Sequence, residues 1–169
     1  MGLTLAEKDL LKREFGKAGL DTDFLSNIAT KLEGSLTQAQ IQAMNSTPIE
    51  LLAAPAAGYA HVVDEIEIFH DYATAAYTGG GDLSLKYAGS STIALFDVAL
   101  VTATADKKVY VKPSYVDLDA STGTAQGFDL GAVAALAIQI TNASAAFADG
   151  NASNILKYRI NYRTVKLLS

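Results

Sequence analysis

Two histidines, His61 and His70, are the only imidazoles in the 169 residues, and there is no cysteine. A histidine pair could hold a metal or relay a proton. These two stand nine apart in a stretch that alternates like a strand. Strict alternation sends them to opposite faces, so they are not expected to share an ion. Without cysteine there is no thiolate metal site, no disulfide framework and no thiol nucleophile. Gly79-Gly80-Gly81 lacks the Lys-Ser/Thr that completes a phosphate-binding loop, and it opens a strand, so it reads as a turn. Asp117-Leu118-Asp119-Ala120-Ser121 copies the opening of a calcium loop. Thr122 stands where that loop needs glycine, however, and Phe128 where it needs a bidentate glutamate. No G-x-S-x-G or H-E-x-x-H motif is present. Carboxylates are plentiful, but their spacing singles out no acid–base pair. No enzyme, cofactor or metal site is expected.

The totals narrow the class. The length suits one domain, or one domain with an arm. Half the residues are hydrophobic, 18% are charged and the net charge is −5. An acidic chain of this kind is not expected to bind nucleic acid. No apolar run approaches the roughly 18 residues of a membrane helix, so no membrane partner is expected. The opening MGLTLAEKDLLKREF has interspersed acids and no apolar core, so no signal peptide is expected. Asn45, Asn142 and Asn151 each begin an N-x-S/T triplet, read as coincidence.

Two regions emerge along the chain: a helical leader over 1–44 and a β module over 45–169. Thr4 and Glu7 form a capping box that predicts a helix to about Ala18, stopped by Gly19. Leu3, Leu10, Leu11, Phe15 and Ala18 share its broad apolar face, interrupted by Glu7 and Glu14. Asp21 or Thr22 is expected to cap a second helix with Phe24, Leu25, Ile28 and Leu32 on one side and Gly34 as its stop. A helix-turn-helix reading fails because Lys31 is that helix's one cation, against Asp23 and Glu33. The apolar residues Leu3, Leu10, Leu11, Phe15, Phe24, Leu25, Ile28 and Leu32 are the expected partner-docking set. Overlapping capping boxes at Ser35–Gln38 and Thr37–Gln40 predict a third short helix, ending near Met44.

In the β module, Pro48–Leu52 reads as a short edge strand. Ala60–Tyr72 alternates, with Val62, Ile66 and Ile68 against Glu65, Glu67 and Asp71. Leu83, Leu85 and Tyr87 mark another strand, as do Val109 and Val111 before Pro113. Ile93–Ala105 reads as a short helix or irregular crossover, and Val116–Gly127 as a long polar loop. Phe128–Leu130 and Leu136–Thr141 are expected strands, the latter with Leu136, Ile138 and Ile140 inward. The last strand, Asn154–Leu167, puts Tyr158, Ile160, Tyr162 and Thr164 on one face and Lys157, Arg159, Asn161 and Arg163 on the other. Its basic face complements the Glu65/Glu67/Asp71 face, which predicts that the two long strands are neighbours. The sum is a mainly β protein, a jelly-roll-like antiparallel β-sandwich with an N-terminal α-helical arm.

Three stretches also resemble a family of small β-rich virion proteins of tailed bacteriophages. They are TQAQIQAMNSTPIELLAAPAAGYAHVVDEI, ATAAYTGGGDLSLKYAG and KYRINYRTV, within residues 37–168. Thr47-Pro48, Leu51 and Ala53-Ala54-Pro55 match that family's first turn, with Ala56 where glycine is usual. Ala76-Tyr77, Gly79–Gly81, Leu83 and Tyr87 match its hairpin. The resemblance implies a capsid decoration (cement) protein on the virion surface, made in the host cytoplasm. It would bind the major capsid protein and itself, as a homotrimer that buries an Ala-rich surface such as Ala132–Ala148. The alternative it leaves open is a tail or fibre module that recognises a host glycan or protein through tyrosines in the loops Tyr72–Gly81 and Tyr115–Gly127.

Overall fold

A computed structural model describes residues 4–16, 29–113, 115–118, 125–142 and 144–168. The chain is mainly β, and every strand pairing among the described residues is antiparallel. Helix α1 (Leu5–Gly16) begins with the expected capping box: Thr4 N–H donates to Glu7 Oε2 at 2.7 Å and Glu7 N–H donates to Thr4 Oγ1 at 3.3 Å. Ala18 and Gly19, read as its end, lie outside the described residues.

The expected second helix is corrected over its last residues; its start, 21–28, lies outside the described residues. Thr30–Leu36 is strand β1, paired with the last strand, β12 (Ile155–Lys166). The helical spacing of Phe24, Leu25, Ile28 and Leu32 had masked a period of two. Lys31, Glu33 and Ser35 alternate with Thr30, Leu32, Gly34 and Leu36, and both end residues, Thr30 and Leu36, are buried. Gly34, read as a helix stop, is a cross-strand contact instead. The Tyr158 hydroxyl lies where a Gly34 Cβ would be, so only glycine lets that ring cover the strand. The third helix forms as α2 (Gln38–Ala43), with its Thr37–Gln40 capping box intact and Ile41 and Met44 fully buried. Residues 30–44 are thus built into the β body, where a helical leader reaching residue 44 was expected.

Eight strands form two four-stranded sheets. The first has the order β1–β12–β3 (Tyr59–Asp71)–β7 (Lys107–Val111). The second has the order β2 (Ile49–Leu52)–β10 (Ile138–Asn142)–β5 (Leu83–Tyr87)–β6 (Thr92–Phe96). Ile66, Ile68, Leu156 and Ile160 from the first sheet share one buried cluster with Leu83, Leu85, Ile138 and Ile140 from the second. A two-stranded ladder pairs β4 (Tyr77–Gly79) with β11 (Phe147–Asp149). Another pairs β8 (Val116–Leu118) with β9 (Ala125–Gly127), inside the stretch read as a loop. The expected crossover over Ile93–Ala105 is β6 followed by a single 3-10 turn, Val98–Leu100. Phe128–Leu130 is not a strand, because Phe128 packs its ring against Tyr87 and Tyr115, at 6.0 and 5.3 Å between centroids. The glycine-turn hairpin is also corrected, since β4 pairs with β11 and β5 pairs with β6 and β10.

The predicted pairing of the two long strands is borne out: β12 runs antiparallel to β3 from Ile155↔Asp71 to Lys166↔Tyr59. That ladder carries a bulge. Asn161 pairs with Glu65 but Tyr162 pairs with Val63, so Asp64 is an extra residue on β3. One extra residue reverses the alternation, so His61 and His70 face the same side of the sheet instead of opposite sides. They still cannot share a metal, because about 30 Å of strand separates them.

Candidate functional site

The outer face of the first sheet is a lattice of paired charges. It is built where β12 lies between β1 and β3. Arg159 sits across from Glu33 on one side and Glu67 on the other. Its Nε donates to Glu33 Oε1 at 2.7 Å, and Nη1 lies 3.9 Å from Glu67. Lys108 on β7 reaches the same Glu67 at 3.0 Å. Lys157 holds Asp71 at 2.7 Å, with its Nζ 5.6 Å from the Phe69 ring centroid. At the bulge, Arg163 grips both carboxylate oxygens of Asp64 through Nε and Nη2, at 2.9–3.1 Å. The hydrogen bond from Arg159 holds the Glu33 carboxyl below its usual range. Bonds from Tyr110 and Asn161 do the same for Glu65. Exposed pairs of this kind add little to stability, so their main effect is to fix side-chain positions.

A shallow groove of about 430 Å³ lies in this lattice, beside Gly34. Phe69 and Tyr158 give it apolar surface, and Lys108, Lys157 and Arg159 supply donors beside Glu33 and Glu67. Among the described residues no cluster of histidines and carboxylates could hold a metal.

The start of β3 is fully bonded. His61 Nε2 lies 2.9 Å from the Ala53 carbonyl, which can only accept, so Nε2 carries the proton and Nδ1 accepts from Thr164 Oγ1 at 3.1 Å. Burial pushes the His61 pKa down. The Tyr87 hydroxyl donates to the His61 carbonyl, from the second sheet to the first, at 2.5 Å. The Tyr115 hydroxyl accepts from Val63 N–H at 2.6 Å and donates to Val63 O at 3.0 Å. The Ala135 N–H donates to Tyr59 O at 2.9 Å. Strand β7 pairs only with Ile66–His70, so these groups cover the edge that β7 leaves open.

Of the expected docking residues, Leu10 and Leu32 have described side chains. Leu3, Phe24, Leu25 and Ile28 lie outside the described residues, and so do the side chains of Leu11 and Phe15. Leu10 on α1 is 52% exposed, together with Leu5 at 63%. Leu32 is corrected from a helix face to a β1 position packed against the core. The tyrosines assigned to sugar stacking are corrected too. Tyr77 is buried and Tyr115 is half-buried with its hydroxyl engaged, while Tyr110 on β7 is exposed and holds Glu65. The paired charges of the outer face were legible as complementary stripes. The Tyr87–Phe128–Tyr115 stack carried no sequence signal, because its members come from three separate segments. Comparison with protein-family models, curated proteins and solved structures finds no match to this chain.

Proposed function

We propose that this chain is a structural virion protein of a tailed bacteriophage, a capsid decoration protein that binds the major capsid lattice and stabilises the head. The observation that carries the reading is the strand order. Numbering only the eight strands of the two main sheets from 1 to 8, the orders become 1-8-3-6 and 2-7-4-5. Strands 1 and 8, 2 and 7, 3 and 6, and 4 and 5 are each hydrogen-bonded. That is one long antiparallel hairpin, rolled so that 8 meets 3 and 7 meets 4, an order that supports a jelly-roll winding. Jelly rolls recur in viral shells, although fold alone does not fix function. The three phage-like stretches lie within the same body. Helix α1, with Leu5 and Leu10 exposed, acts as an arm that gains contact area when it docks. The protein assembles as a trimer on the shell and carries out no catalysis.

The test is to mix the purified protein with head shells that lack it. Saturable cosedimentation and shells that resist heating are expected. Failure to bind intact shells contradicts the proposal. The groove beside Gly34 favours a second reading, a tail-associated module that binds a host glycan. In that case the protein binds host cells, and Lys157→Ala with Arg159→Ala weakens that binding without unfolding the sheets.

A further inference from the structure

The far end of β3 is built differently from its start. His70 occupies the last inward position of the strand, across from Leu156 on β12 and Lys107 on β7. It is 0% exposed, and neither ring nitrogen has a hydrogen-bond partner among the described residues. Beside it, 6.1 Å between ring centroids, lies Tyr77, 1% exposed, whose hydroxyl also has no partner. Two buried polar groups in contact with each other, both unbonded, are rare in a folded protein and usually mark a function or a point of strain.

The roof over this pair is slight. Tyr77 belongs to β4, which is held by a ladder of three residue pairs to β11. Thr78 Oγ1 bonds Asp149 Oδ2 across that ladder. The amides of Gln38 and Gln42 on α2 donate to the Asp149 carbonyl at 3.2 and 2.8 Å, and Gln38 also reaches the Gly150 carbonyl at 3.1 Å. The Gly150 N–H donates to Ala76 O at 3.2 Å, and Asn154 bonds Ala73 N–H and Ala75 O beside β4. The β4–β11 ladder itself is three pairs long, whereas β3 and β12 pair over their full lengths.

We propose that His70 is a buried pH switch: taking up a proton from solvent opens the β4–β11 end of the molecule while the two main sheets stay closed. A charged imidazole in this site has no acceptor. Asp71, the next residue, points outward and holds Lys157. Asp106, before β7, accepts the Tyr72 N–H at 2.9 Å, and Tyr72 packs its ring 6.4 Å from that of His70. Lys107 directs its Nζ to the Ala99 carbonyl at 3.0 Å and adds a like charge to that side. On β11, Asp149 is engaged with Thr78. An uncompensated buried charge is relieved most cheaply by letting water in through the shortest ladder beside it, the β4–β11 roof. Burial lowers the His70 pKa from its ordinary 6.5, with Asp106 and Asp71 partly opposing that effect. The folded pKa lies below the open-state one, so the closed end is fully favoured above 6.5 and loses that advantage as pH falls through the lowered value. His61 also has a lowered pKa, but it sits among satisfied partners under the far end of the sheet.

The test is amide hydrogen exchange on the full chain at about pH 7.5 and about pH 5, corrected for intrinsic exchange, for the wild type and His70→Gln. In the wild type, protection over 77–79 and 147–150 falls roughly tenfold or more at the lower pH, while the β3–β12 centre around Ile66 and Ile160 is unchanged. In His70→Gln the roof keeps the same protection at both values. Equal acid loss in wild type and variant, or no loss in wild type, overturns the proposal. If the variant does not fold, the wild-type imidazole resonances decide. The proposal requires the His70 ring to titrate below 6.5 together with the amides of 77–79. A His70 ring titrating at or above 6.5 overturns it.

Discussion

At its start β3 carries His61, with both ring nitrogens bonded and its carbonyl capped by Tyr87. At its end it carries His70 beside Tyr77, and neither side chain has a partner among the described residues. The two ends share residue types, strand and sheet face, and both histidines are buried. They differ in what the neighbouring segments supply. Ala53, Thr164 and Tyr87 reach into the first site with one acceptor and two hydroxyls. The second receives aromatic rings and no polar group that bonds. Burial stabilises a polar side chain only where its bonds are replaced, so one strand runs from a secured end to a labile one.

The largest effect that would break this contrast is expected at two glycines. Both Gly58 and Gly150 have left-handed backbones, with φ of +81° and +75°. Open space surrounds a Cβ built on Gly58, whereas one on Gly150 runs into the Tyr77 ring. Gly58→Ala should cost about 1–2 kcal/mol of backbone strain. Gly150→Ala carries the same strain plus about 1–3 kcal/mol of overpacking. Urea unfolding of the two variants checks the difference, and equal midpoints would erase it.

Hydroxyl deletion comes next. Tyr87→Phe strands the buried His61 carbonyl and should cost about 1–3 kcal/mol. Tyr77→Phe removes a hydroxyl that bonds nothing, whose pKa burial has pushed up to about 12, and should be neutral or stabilising. The same unfolding assay reads both. Thr164→Val should then make the start of β3 resemble its end, leaving His61 Nδ1 bare at a cost of about 1 kcal/mol. The smallest effect belongs to the bulge: Arg163→Ala frees Asp64 and should cost less than about 1 kcal/mol, shrinking further in high salt. Thermal unfolding at low and high ionic strength checks it.

Much of this was legible because strands with one solvated face write their register into the sequence. Lys157, Arg159 and Arg163 against Glu65, Glu67 and Asp71 gave the β3–β12 pairing directly. The capping boxes at Thr4 and Thr37 gave two helix starts, since their bonds are local. Misreadings occurred where distant contacts decided the outcome. Thr30–Leu36 carries a leucine spacing that a helix would tolerate, and pairing with β12 makes it a strand. The bulge at Asp64 leaves no mark in the alternation until the partner strand is known, so the phase of His70 relative to His61 was inverted. The close cover over Gly34 depends on a tyrosine 124 residues away in the chain, at Tyr158.

The two ends of β3 also bear on assembly. The proposed decoration role requires a rigid body, which the bonded end and the paired outer lattice would supply, and a segment that engages the shell. The measurement that tests this most directly is copy number and position in purified virions, by gel densitometry with averaged electron microscopy of the particle. A copy number that scales with the capsomers, with density of this fold spread over the icosahedral lattice, is the predicted result. Copies confined to the tail vertex, or absent from the particle, would contradict the account.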